Sequence, residues 1–442
     1  MCLVLCEVMQ LEYKLNGSDY FSRQVPSESR LMTSHEFDFD LRQVIFALSD
    51  ALDLVGVDDV AHGKRVGIMS ANCAAVMNWG VEQQMQMFDL GMLHDIGVSS
   101  TQTHQHLLQE FDWPRSREHA ELGYQLLGEF PPLAHLALPI RYHHTRWDQL
   151  VHLVPEQLTQ LQATHANLIY LTDRVDTFAA PFYGSYLFDH VDGIRERVRS
   201  VSGSYFSPEL VDAFLTASCS EAFWLMLEPR SIQSYLQDQL GHGARPRVGM
   251  AQLRVLASIF SRIVDAKSEF TATHSLGVAR LARLLAEKMG VSQEHCDMLE
   301  VAGLLHDLGK LRVPDEVLNK PGKLDAHERQ IMNTHSFETY QILRKIDGFG
   351  EIALWAAYHH EKPEGTGYPF HVSEKNLSLE ARILRVADIF QAMAQTRPYR
   401  SGMTAEQIKA FLREMVDAGK LDSHVVDVAL ANMPASMDAA LP

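Results

Sequence analysis

Gly303-Leu304-Leu305-His306-Asp307-Leu308-Gly309 is an apolar helical approach ending in an imidazole beside a carboxylate, and the chain repeats it almost word for word at Gly91-Met92-Leu93-His94-Asp95-Ile96-Gly97. The echo extends outward. His274, His306, Asp307, His335, His359, His360 and Asp388 in the second half answer to His62, His94, Asp95, His119, His143, His144 and Asp173 in the first. The shift is 212 residues through the His-Asp pair, 216 for the next three histidines and 215 for the last acid. A shift that holds and then changes twice is what duplication with two altered loop lengths produces. Tyr358-His359-His360 against Tyr142-His143-His144 agrees with this. A lone histidine on an apolar helix face is usually a core or surface residue; a set repeated in register points to two copies of one metal-binding scaffold.

Imidazole nitrogens with carboxylate oxygens suit first-row metals such as iron and manganese, and one Asp can bridge two ions. Adjacent helical residues diverge by about 100°, so the other ligands around each His-Asp pair must come from neighbouring helices, as in a bundle core. Two metals side by side activate a water and clamp the entering and leaving oxygens of an in-line displacement at phosphorus. Phosphoester hydrolysis is the chemistry this set serves.

The remainder of the chain narrows the setting. Its 442 residues suggest two or three domains at about 150 residues each. Stretches such as 253–264, 274–289 and 300–305 carry apolar residues at helical spacing, and alternating strand patterns are scarce. The expected fold is mostly α-helical. The turn-rich segment 241–249 marks a boundary between an expected domain at 36–240 and another at 250–442, with 1–35 as an N-terminal extension. A net charge of −17 argues against long nucleic acids and anionic membranes, while leaving room for a small anion in a local pocket. Five scattered cysteines, no secretion signal and no apolar run of membrane-spanning length lead to the expectation of a cytoplasmic protein with reduced thiols. The 22 histidines are roughly twice ordinary usage, and the repeat accounts for many of them.

Residues 250–415 resemble the HD-GYP family of cyclic dinucleotide phosphodiesterases, a branch of the HD-domain metal hydrolases. The matching blocks are His306-Asp307-Leu308-Gly309-Lys310; the run from Pro314 to Leu324 containing Asn319-Lys320-Pro321-Gly322; His359-His360-Glu361 with Gly365-Thr366-Gly367-Tyr368-Pro369; Ala387-Asp388; and Arg397-Pro398-Tyr399-Arg400. The resemblance implies two tandem HD-type helical bundles, the second an HD-GYP domain with two divalent ions, iron or manganese. In that domain His274, His306, Asp307 and Asp388 would hold one ion, with Asp307 bridging to a second held by His335, His359 and His360. Lys310 would assist at the scissile phosphate, and Gly367, Tyr368, Pro369, Arg397 and Arg400 would bind substrate. The small and rigid neighbours of Tyr368 are expected to let the backbone approach a ligand closely.

Three positions depart from the family pattern: Phe270 stands where some members carry an acid that recruits a third metal, Glu364 replaces an Asp, and Thr339 replaces a Gly, with altered helix packing as the expected result. The first half keeps every ligand type, so His62, His94, Asp95, His119, His143, His144 and Asp173 form a candidate second metal site. Asp58 even lies four residues before His62. Yet Val98, Thr145, His152, Phe182 and Ser185 stand where the second half has Lys310, Glu361, Tyr368, Arg397 and Arg400. The first half is therefore expected to be a degenerate HD domain serving structure, dimerisation or substrate closure, with a homodimer among the expected assemblies. The tandem arrangement is similar to the cyclic GMP-AMP phosphodiesterases of the family. The expected reaction opens 3′,3′-cyclic GMP-AMP or cyclic di-GMP to the linear 5′-phosphorylated dinucleotide. A cyclic dinucleotide sensor, a mixed-valent di-iron oxygenase and an interaction scaffold are its rivals.

Overall fold

The computed structural model describes residues 38–56, 61–109, 113, 115–184, 186–241, 246–268, 273–396 and 401–441. The expected extension at 1–35 and the readings of Asp58, Ser185, Phe270, Arg397 and Arg400 lie outside the described residues. The helices that build the two centres are α1 (Leu41–Asp53), α2 (His62–Val76), α3 (Val81–Leu93), α4 (Thr101–Gln109), α5 (Ser116–Gly128) and α6 (Gln160–Ala179) in the first half. The second half supplies α7 (Met250–Ala266), α8 (His274–Lys288), α9 (Gln293–Leu305), α10 (His335–Leu343), α11 (Gly350–Ala357) and α12 (Leu379–Ala394). The 212-residue shift carries α2 onto α8 and α3 onto α9 end to end, so the repeat read from ligand types is a repeat of elements.

Local sequence explains where these helices start. Ser292 caps α9 by accepting the His295 N–H at 3.2 Å, and Ser378 caps α12 through the Ala381 N–H at 3.3 Å. Thr159 and Gln162 close a reciprocal capping box on α6. Each such cap is worth about 1 kcal/mol. On α8 the buried residues Val278, Leu281, Ala282 and Leu285 recur at three and four residues, which lays one apolar face against α9 and α12.

Strand β1 (Asp38–Asp40) pairs antiparallel with β2 (Arg247–Gly249), Phe39 facing Val248. This joins the entry to the first half to the entry to the second, and Phe39 reaches across to Phe349 with ring centroids 5.2 Å apart and edge to face. Segment 241–249, read as a linker, thus contains a paired strand. One hydrophobic cluster runs from Phe39 to Ala440 through both halves. The first helix of each half leans on the other half through matching ion pairs. Asp50 on α1 meets Lys345, and Arg262 on α7 grips Glu129 with two bonds of 3.0 and 2.7 Å. Asp50 and Arg262 are repeat equivalents, as are Glu129 and Lys345, so the two contacts are one contact with its charges exchanged.

Candidate metal centres

In the second half every expected ligand but Asp388 sits at an element end or in the turn beyond it. His274 opens α8, His335 opens α10, His359 and His360 lie in the 3-10 turn after α11, and Asp388 faces inward from α12. Helix α9 ends at Leu305, and Asp307 already has φ −97° and ψ 8°. That turn answers the expected divergence of adjacent side chains: the helix ends just before the pair, and His306 Nε2 and Asp307 Oδ2 come within 3.3 Å. The two Asp307 oxygens then face different neighbours. Oδ2 lies 3.6 Å from His274 Nε2, and Oδ1 lies 3.5 Å from His335 Nε2 and 3.8 Å from His359 Nε2. His274 is also 3.3 Å from Asp388. The donor atoms of His274, His306 and Asp388 form one close group and those of His335, His359 and His360 another, with Asp307 between them.

The backs of the rings decide what the fronts can do. Nδ1 of His306, His335 and His359 lies 2.8, 2.7 and 2.6 Å from the carbonyl of the residue three before it, and His274 Nδ1 is 2.6 Å from Gln391 Oε1. A carbonyl only accepts, so each Nδ1 carries a proton and Nε2 is the nitrogen turned to the centre. Nε2 of His335 and His359 are 3.3 Å apart, two lone pairs in one space. His306 Nε2 and Asp307 Oδ1 are buried and unpartnered within the protein. A donor set of this kind fits divalent cations. Burial opposes ionisation of Asp307, yet His306 and Lys310 hold its carboxyl well below the usual carboxylate range. Burial presses His335 down to about 4, and burial with neighbouring imidazoles presses His359 and His360 well below the usual range, which keeps them neutral and able to ligate.

Around this core the substrate-side candidates take different places. Lys310, half-buried on the turn Leu308–Arg312, puts its ammonium on Asp307 Oδ2. Tyr368 lays its ring over His360 at 4.7 Å and edge-on to His335 at 6.4 Å, with Pro369 following. Gly367 corrects its expected reason: an added Cβ there would stand 2.4 Å from Glu361 Cα and 2.6 Å from the His360 carbonyl. The close approach it permits is to the protein's own backbone. Glu361, grouped with the substrate-handling residues from sequence, is fully buried and accepts the N–H groups of Phe370, His371 and Val372 at 2.7, 3.1 and 3.0 Å, so it ties down the loop beyond Tyr368. Thr339 likewise does more than alter packing. Its hydroxyl accepts from Gly309 N–H at 2.9 Å and donates to the His306 carbonyl at 3.1 Å. Sequence reading also missed Arg385, which is buried behind the site and donates to the His359 carbonyl at 3.1 Å.

The first half reproduces the geometry. Asp95 Oδ2 faces His62 and His94 at 3.9 and 3.4 Å, and Oδ1 faces His119 and His143 at 3.3 and 3.9 Å. His62 is 3.4 Å from Asp173, and His144 joins the donor group of Asp95, His119 and His143. His94 and His143 hold carbonyls with Nδ1 as their counterparts do. The surroundings differ. Behind His62 stands Asp176, itself gripped by Arg65 and Tyr183, where the second half has Gln391. Beside Asp173 lies the buried Arg174, 2.9 Å from Oδ2, where the second half has Ile389.

A family described as an HD domain matches residues 258–425. The 3′3′-cGAMP-specific phosphodiesterase 1 of Vibrio cholerae is 35% identical over 407 residues, covering 90% of this chain and 93% of that protein. The cyclic di-GMP phosphodiesterase response regulator RpfG of Xanthomonas campestris is 34% identical over 223 residues, 49% of this chain and 58% of that protein. Among solved structures, a cyclic GMP-AMP specific phosphodiesterase of V. cholerae shares the fold, with a TM-score of 0.61 at 24% identity over 92% of this chain and 98% of that one. Among the described residues no helix is long and apolar enough to cross a membrane. Through a relative matched along nearly its whole length, the chain belongs to the HD-GYP family of metal-dependent cyclic dinucleotide phosphodiesterases, in its tandem-HD form.

Proposed function

We propose that the second half, residues 250–442, opens a 3′,3′-linked cyclic dinucleotide at one 3′-O–P bond, water adding across it to leave the linear 5′-phosphorylated product. The carrying observation is the Asp307 carboxylate, whose two oxygens face two separate imidazole groups with the Lys310 ammonium alongside. His274, His306, Asp307 and Asp388 would hold one ion, and Asp307, His335, His359 and His360 another. Iron or manganese bound there supplies water activation and charge neutralisation at phosphorus. Lys310 offers its charge to the phosphate and a proton toward the departing 3′ oxygen. Tyr368 and Pro369 border the substrate, and Arg397 and Arg400 are assigned from sequence to the phosphate oxygens. Cyclic GMP-AMP ranks first and cyclic di-GMP second, because the relative matched along both halves is named for the former and the one matched over half of the chain for the latter. Residues 36–240 serve as the supporting domain, and the acidic surface and free thiols Cys73, Cys219 and Cys296 suit a cytoplasmic protein acting alone or as a homodimer.

The test offers both rings to full-length protein loaded anaerobically with Fe²⁺ or Mn²⁺, beside Asp307→Ala, with products separated by chromatography. Linear dinucleotide that accumulates without mononucleotide, and is lost in the variant, is the expected result. Both rings recovered intact from a protein that still binds them would make it a sensor and overturn the proposal.

A further inference from the structure

The first half repeats the donor set of the catalytic half and adds a histidine without a counterpart there. On α4, Thr101, His104 and Leu107 follow at three-residue spacing along the buried face. His104 lines a cavity of about 20 Å³ together with His62, His94, Asp95, Met92 and Val98, its ring 6.4 Å from that of His62 and edge-on to it. A void of that size accommodates about one water or a single ion. Val98 brings no charge to the position that Lys310 fills in the other half. Arg174 closes the outer oxygen of Asp173.

The same helix is held at its start by the other half. Ser100 caps α4 by accepting the Thr103 N–H at 3.3 Å and donates its hydroxyl to Asp315 at 2.8 Å. The Gln102 N–H also donates to Asp315, at 3.3 Å, so a carboxylate of the second half sits on the positive end of a first-half helix. Lys267, fully buried, completes the joint at 3.1 Å from Thr101 Oγ1 and 3.2 Å from Asp315. Asp315 lies two residues beyond the Leu308–Val313 segment that carries Lys310.

We propose that the first half holds a metal centre in which His104 is an added donor, and that α4 transmits its occupancy to the Lys310 segment. The site itself is independent of the phosphodiesterase reading; the significance of the link rests on it. The ions concerned are first-row divalent cations, ligated by His62, His94, Asp95 and Asp173 with His104, and by Asp95 with His119, His143 and His144.

The test uses the full chain carrying Asp307→Ala and His335→Ala, which dismantle the second centre. Loaded anaerobically with Mn²⁺ or Fe²⁺ and cleared of loose ions, this protein is expected to retain metal by elemental analysis. Adding His104→Ala is expected to speed loss to a chelator roughly tenfold or more. Metal addition is expected to slow amide hydrogen exchange in α4 and in residues 308–318 alike. A protein that retains no metal, or releases it at a rate indifferent to His104→Ala, overturns the site; protection confined to the first half overturns the link. If circular dichroism shows that the double variant does not fold, Asp95→Ala in the otherwise unaltered chain decides. Its metal content is expected to fall below that of the parent, and an unchanged content overturns the site. None of these readouts uses the cyclic dinucleotide, so failure here is separable from failure of the phosphodiesterase reading.

Discussion

Lys310 is the side chain whose chemistry is most exposed to test. It touches Asp307 without being a metal ligand, so its removal leaves the donor set whole. Lys310→Met is expected to lower kcat by roughly 10²–10³, the usual loss for one charged donor at a developing oxyanion, with metal content unchanged by elemental analysis. Loss of metal together with rate would assign Lys310 to organising Asp307 instead. His165 gives a second residue-scale prediction. It is buried on α6 against Trp79, and burial lowers its pKa from 6.5 to about 4. The unfolded chain therefore binds the proton more readily between those values, and the stability contributed by neutral His165 is lost as pH falls from 6.5 toward 4. His165→Gln cannot titrate, so the Tm of the parent relative to this variant is expected to decline across that window. A constant difference would show that the ring is hydrated in the native state.

At the scale of elements, the loop 366–372 is positioned by one carboxylate. Three backbone N–H groups converge on Glu361, and the chain between them carries Tyr368 over His360. Glu361→Gln can satisfy at most part of that cluster, and an unsatisfied buried donor costs about 1–3 kcal/mol. The expected outcome is a lowered Tm and a raised KM for the cyclic dinucleotide, measured by denaturation and by steady-state kinetics, with the metal retained. A variant with unaltered KM would remove Tyr368 from the substrate's surroundings. The first half, with Thr145 at this position, lacks the carboxylate around which such a loop could form.

At the scale of the molecule, the exchanged charges of Asp50–Lys345 and Arg262–Glu129 make unlike halves attract. Two copies of the first half meeting in the same way would set Asp50 against Glu129, and two copies of the second would set Arg262 against Lys345. The pattern selects pairing within one chain. Glu129→Lys is expected to destabilise the protein by up to about 1 kcal/mol, the range for an exposed pair, and Arg262→Glu added to it is expected to restore most of the loss in denaturant titrations. Additive losses in the double variant would show that the pair contributes nothing as a pair.

Sequence alone determined the helical class, the duplication and the seven candidate ligands of each half, because ligation constrains residue type and the repeat makes the constraint visible twice. His306 and His94 could be matched without knowing where either points. The functions of Glu361, Thr339, Gly367 and Asp315 were decided only by tertiary structure. A buried carboxylate, hydroxyl or missing Cβ takes its meaning from the groups that folding sets against it: Phe370 across a loop for Glu361, His306 for Thr339, and Ser100 from the other half for Asp315. His104 escaped for the opposite reason. It lies outside the repeat, so no second copy marked it, and only the packing of α4 against the first centre brings it to His62.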